Sequence, residues 1–231
     1  MRLKLIIASV LALATFCGVA TLTSHAADPA TQPADDAGFT TLYNGKDLAG
    51  WTYSNKKIGA GYQIDPETKA LYCTKADGGN LLSEKKYDNF VLRFEFKLEQ
   101  NANNGIGIRA PFEANPAYEG MEIQILDDTG PQYMGKLRPE QWHGSVYDLV
   151  GAKQGSLKPV GEWNEQEITA DGRHIRVNLN GTTIVDANLD DIKDEAKLKK
   201  HPGVTREKGH IVLMGHGTRV EFRNIRVKEL D

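Results

Sequence analysis

Phe90–Glu99 reads F-V-L-R-F-E-F-K-L-E. Phe90, Leu92, Phe94, Phe96 and Leu98 alternate with Val91, Arg93, Glu95, Lys97 and Glu99. A helix would scatter those apolar side chains around its circumference. A strand places them all on one face, so this stretch predicts a strand with one side in a core and the other in water. The same period extends outward. Trp163–Ala170, His174–Asn180 and Thr182–Asp186 are separated by Asp171-Gly172 and Asn180-Gly181, strong short hairpin signals. Gly61–Asp65 and Leu71–Thr74 form another predicted hairpin, opened by Asp65-Pro66, while His210–Met214 and Arg219–Val227 close the chain. Asn188–Lys200 alone has a helical pattern, with Leu189, Ile192 and Ala196 on one side. Eleven or twelve strands, one short helix and no long crossover predict an all-β antiparallel sandwich or jelly roll.

Composition agrees. The chain has 231 residues, 40% hydrophobic and 26% charged, enough for one sizeable core. Residues 1–26 read as a signal peptide: Arg2 and Lys4, the apolar run Leu5–Ala14, then Ser24-His25-Ala26 as a cleavage site. Phe16 is too bulky to precede a lipid-acceptor Cys17. Residues 27–38, rich in Ala, Asp and Pro, read as a disordered linker, and 39–231 as a single domain. Export to the periplasm or the extracellular space follows. Cleavage leaves Cys73 alone, with no internal disulfide, and predicts a buried, inert thiol. It also removes two of the 28 basic residues, leaving 26 against 31 acidic ones. That balance argues against nucleic acid or anionic membrane as partner. Nothing after Ala26 resembles a membrane span.

Three stretches carry polar groups where plain core strands would not. They are N-N-G-I-G-I-R (Asn103–Arg109), G-M-E-I-Q-I-L-D-D (Gly120–Asp128) and W-H-G-S-V-Y-D (Trp142–Asp148). Strict alternation puts Arg109 with Gly105 and Gly107, Glu122 with Gln124, and His143 with Ser145 and Tyr147. Three neighbouring strands would then present Arg, Glu, Gln, His and Tyr over an apolar underside, suited to a small polar ligand. The plainer reading has Glu122 and Gln124 solvated and Arg109 in a structural ion pair with Glu122. Asp127 is a candidate ligand for a divalent cation, or caps a turn. His201, His210 and His216 are too irregularly spaced for a metal set and read as surface or loop residues. No nucleophile elbow, P-loop or dinucleotide fingerprint is present. A two-carboxyl glycosidase is also disfavoured, because Glu122 and Asp127, at odd spacing, face opposite ways.

These stretches, with F-T-T-L-Y-N-G-K-D-L-A-G-W (Phe39–Trp51), G-E-W-N (Gly161–Asn164) and L-N-G-T-T-I-V-D (Leu179–Asp186), resemble the 3-keto-disaccharide hydrolase domain family from about Phe39 to Leu230. The resemblance implies a concanavalin- or laminin-G-like jelly roll and cleavage of glycosides already oxidised at C3. A C3 ketone acidifies the C2 proton, so the C1 substituent can leave by elimination. That route needs a base, an electrophile at the ketone oxygen and a proton donor. On this reading Glu122 is the base, Arg109 holds the oxyanion and His143 is the acid. Gln124, Tyr147, Trp142 and Asn104 contact the sugar. The resemblance fixes no cofactor, and a divalent cation at Asp127 is compatible with it. The alternative is a non-catalytic, lectin-like carbohydrate-binding module using Trp142, Tyr133, Tyr118 and Tyr147 as aromatic platforms. The oligomeric state is not legible.

Overall fold

A computed structural model describes residues 37–54, 61–73 and 79–231. The signal-peptide reading and nearly all of the linker reading lie outside the described residues. In chain order the strands are β1 (Thr40–Thr41), β2 (Trp51–Tyr53), β3 (Tyr62–Ile64), β4 (Leu71–Cys73), β5 (Asn80–Tyr87), β6 (Phe90–Leu98), β7 (Asn103–Ala110), β8 (Met121–Leu126), β9 (Trp163–Asp171), β10 (His174–Leu179), β11 (Thr182–Asn188), β12 (Gly209–Met214) and β13 (Val220–Glu229). They form two antiparallel sheets. One runs β11-β10-β9-β6-β13-β4-β3, with β1 also on β13; the other runs β2-β5-β12-β7-β8. The fold is an all-β jelly-roll sandwich.

β6 sits mid-sheet between β9 and β13, and its burial alternates along its whole length, as its period-two pattern requires. Phe90, Leu92, Phe94, Phe96 and Leu98 meet Ile106, Ile108, Met121, Ile123 and Ile125 of the facing sheet in one core. Outward, Arg93 pairs with Glu167 at 2.7 Å, Arg223 with Glu95 at 2.7 Å and Lys97 with Glu221 at 2.8 Å. The β10–β11 hairpin turns at Asn180 (φ +49°) and Gly181 (φ +81°), the left-handed pair that matches strand twist. Cys73 is fully buried and its thiol donates to the Thr218 carbonyl at 2.7 Å.

Two expectations change. The helical stretch divides into a 3-10 turn, Leu189–Asp191, and a short α2 (Glu195–Lys200) capped by the Asp194 carboxylate. A second short helix, α1 (Pro116–Glu119), was not anticipated, although Asn115 caps it, Pro116 starts it and Gly120 ends it. Trp142–Asp148 is not a regular strand. Gly144 (φ +79°) and Asp148 (φ +60°) interrupt it, leaving a short ribbon joined to β8 by an Ile123–Val146 bridge.

Candidate functional site

The site is a small grid on the outer face of the five-stranded sheet. Gly107 of β7 lies opposite Glu122 of β8, and Gly105 opposite Gln124. Beyond β8, the Gln124 amide donates to the Ser145 carbonyl and the Tyr147 amide to the Glu122 carbonyl. That pairing sets Tyr147 opposite Glu122 and Ser145 opposite Gln124. On the other flank Val212 and Met214 of β12 lie opposite Gly107 and Gly105. Ile106, Ile123 and Val146 lie in the core between the sheets, so the intervening residues of all three segments face outward.

The two glycines make room. A Cβ at Gly105 would sit 2.1 Å from Glu122 Oε1 and 2.8 Å from its Cγ and Cδ, so the carboxyl group lies directly over that glycine. A Cβ at Gly107 would stand 3.0 Å from both Pro116 and Val212 side chains. Glu122 is 9% exposed. Burial pushes its pKa up to about 7, and no charged neighbour or hydrogen-bond donor among the described residues offsets that. Gln124 Oε1 beside it is also buried without a partner. Buried polar groups are almost always satisfied, so an unpartnered amide oxygen next to a largely buried carboxyl of raised pKa marks a place where a ligand could complete the bonding.

Of the predicted site residues, the fold therefore brings Glu122, Gln124 and the half-buried Tyr147 together. Arg109 does not join them. It has φ +50°, where the pairing of β7 with β12 slips between His210 and Val212. The bulge ends the alternation counted from Gly105 and Gly107. Arg109 is 1% exposed, and its guanidinium donates to the carbonyls of Asp88 (3.1 Å), Gly172 (2.7 Å) and Arg206 (3.4 Å) and to Asn89 Oδ1 (3.2 Å). It bolts three loops together, and the expected ion pair with Glu122 is not formed.

His143 is also displaced. The positive φ of Gly144 lets the chain turn so that His143 enters the core, its ring stacked on Phe96 at 5.0 Å. Nδ1 accepts from the Leu126 amide at 3.2 Å, so Nε2 carries the proton and donates to Gln166 Oε1 at 2.9 Å. Burial lowers its pKa to about 4. A neutral imidazole inside the sandwich cannot act as the acid at the outer face. Asn104 also points inward, donating to Cys73 Sγ at 3.1 Å and accepting from the His216 amide at 3.0 Å. Asp127 accepts from the Asn101 amide at 2.8 Å and Thr129 Oγ1 at 2.7 Å, which makes it a turn clasp. No three His, Cys, Asp or Glu side chains converge as a metal set among the described residues. Trp142 is half-buried beyond the 3-10 turn Pro139–Gln141. His201 and His210, expected at the surface, are 0% and 5% exposed.

One cluster had no local sequence signal. Asp148, 5% exposed, follows Tyr147. Its Oδ1 accepts from Arg138 Nη2 at 2.5 Å and its Oδ2 from Lys200 Nζ at 2.5 Å. Burial pushes this carboxyl up, but the hydrogen bonds from Lys200 and Arg138 outweigh it and hold the pKa at about 2. Lys200 Nζ stands 5.5 Å from the Tyr118 ring centroid, and His201 Nε2 lies 3.5 Å from Asp148 Oδ2. These residues come from positions 118, 138, 148 and 200, which only the fold brings together.

The comparisons with known proteins fit this architecture. A 3-keto-disaccharide hydrolase of Bacteroides thetaiotaomicron is 28% identical over 240 aligned positions, covering 86% of this chain and 81% of the relative. A candidate glycosyl hydrolase of known structure from Parabacteroides distasonis superposes with a TM-score of 0.70 at 23% identity, over 87% of this chain and 98% of that one. A family 66 carbohydrate-binding module from Bacillus subtilis shares the fold with a TM-score of 0.52 at 12% identity, covering 78% of this chain and 96% of that one. Residues 38–228 match the model of the 3-keto-alpha-glucoside-1,2-lyase-like domain family, and the chain belongs to that family.

Proposed function

We propose that this protein is an exported enzyme that cleaves 3-keto-glycosides, 3-keto-disaccharides among them, by elimination followed by hydration. The observation that carries the reading is the unpaired, buried Glu122 carboxyl over Gly105, poised to titrate near neutrality. A general base works best with a pKa near the operating pH. Family membership and the Bacteroides relative supply the substrate class.

In the first step Glu122 takes the C2 proton. The C–H electron pair becomes the C2–C3 double bond, and the C3 carbonyl pair moves to oxygen as an enolate. When the ketone re-forms, the pair shifts into C1–C2, the C1–O bond breaks and the departing oxygen takes the proton that Glu122 removed, which returns Glu122 to its carboxylate. Water then adds across C1–C2, its proton to C2 and its hydroxyl to C1, so one water is consumed and the net change is hydrolysis. Gln124 and Tyr147 flank the base as sugar contacts. A single base replaces the two flanking carboxyl groups of ordinary glycosidases.

The test is turnover of 3-keto-trehalose and 3-keto-lactose beside their unoxidised parents. Release of 3-keto-glucose from the oxidised sugars alone, abolished by Glu122→Gln, is expected. Binding without release would assign a carbohydrate-binding module, and full activity of Glu122→Gln would remove Glu122 from the chemistry.

A further inference from the structure

With Arg109 committed to loop carbonyls, the site lacks the positive group that an enolate requires. Two cations stand beyond Tyr147, the residue opposite Glu122. Arg138 and Lys200 are separated by 62 positions in the chain, yet each bonds one oxygen of the same Asp148 carboxylate. Their side chains are 58% and 54% exposed while that of Asp148 is 7% exposed. The carboxylate is thus a sunken mount and the cations project from it. One negative and two positive charges leave the trio net positive. Each cation gives one side-chain N–H to Asp148, and an ammonium has three N–H groups and a guanidinium five.

Position ties the trio to the base. Asp148 directly follows Tyr147, which lies opposite Glu122 across the ribbon. Lys200 also sits against Tyr118, whose helix supplies the Pro116 that packs over Gly107. Asp148 holds φ +60°, a left-handed conformation unusual for a non-glycine residue. Strain of that kind, together with a buried carboxylate, collects at functional sites.

We propose that Arg138 and Lys200, mounted on Asp148, hold the substrate's C3 oxygen as it becomes an enolate. Asp148 is the positioning residue, and the cations stabilise charge that exists only after the C2 proton has left. This rests on the reading of Glu122 as base. Oxyanion donors of this kind contribute on the order of 100-fold to turnover.

The experiment is steady-state kinetics on 3-keto-trehalose with Lys200→Met and Arg138→Met, with Lys200→Arg as the charge-retaining control. Each Met variant is expected to lose at least tenfold in kcat, with KM changed less than threefold and a melting temperature close to wild type. Lys200→Arg is expected to recover most of the kcat. Wild-type kcat in both Met variants, with Glu122→Gln inactive, overturns the cation assignment and leaves the base in place. An active Glu122→Gln overturns the base reading instead. Equal losses in Lys200→Met and Lys200→Arg that track a lowered melting temperature assign the trio to structure alone.

Discussion

Replacing Glu122 with Gln should make the protein more stable in alkali while removing its activity. The native carboxyl titrates at about 7 because burial disfavours its charged form; its ordinary value is 4.5. Between those values the native state holds a proton that the unfolded chain has released. Stability from this group is therefore fully present below about 4.5 and is lost as pH rises through 7. The shift corresponds to about 3 kcal/mol. Gln is nearly isosteric and does not titrate, so the stability difference between variant and wild type should grow by about 3 kcal/mol from pH 4.5 to pH 8. His143 titrates in the opposite sense. Its folded pKa of about 4 lies below the ordinary 6.5, so its contribution is present above 6.5 and is lost as pH falls toward 4. It is common to both proteins and cancels in the difference. Urea unfolding at several pH values measures this directly, and kcat/KM of the wild type should rise with a limb near pH 7. A difference that changes by less than about 1 kcal/mol over the range would mean that Glu122 is solvated, and the argument for it as a tuned base would be refuted.

Gly105→Ala tests the geometry without touching a polar group. The new Cβ would fall 2.1 Å from Glu122 Oε1, so the carboxyl must swing away. A displacement of about 1 Å can lower turnover on the order of 100-fold, so kcat should fall steeply with little change in melting temperature. An unchanged kcat would show that the pose of Glu122 over Gly105 is not the reactive one. Arg109→Leu should act in the opposite way, because it removes the buried guanidinium that ties the carbonyls of Asp88 and Gly172 together. Denaturant titration should give a loss of about 3 kcal/mol, with kcat per folded molecule near wild type. Wild-type stability with a collapsed kcat would return Arg109 to the reaction.

The strand pattern was legible because period-two alternation is a local property: β6 and the β9–β10–β11 hairpins need only their own residues and turns to be recognised. Glu122 and Gln124 were legible for the same reason, since β8 alternates without interruption. Arg109 and His143 were misplaced because a single left-handed residue or register slip reverses every face assignment beyond it, and such slips depend on the partner strand. The bulge at Arg109 answers to β12, which lies about a hundred residues away. Gly144 offered a warning, as a glycine at φ +79° frees the chain to turn. The Arg138–Asp148–Lys200 trio had no signature at all, because a charged residue in a loop looks the same whether it faces water or a buried carboxylate. The chain by itself determined a β sandwich and one strand bearing an acid and an amide. Tertiary structure alone decided which polar groups share a hollow, since burial, and with it the pKa of Glu122, is set by neighbours far off in sequence.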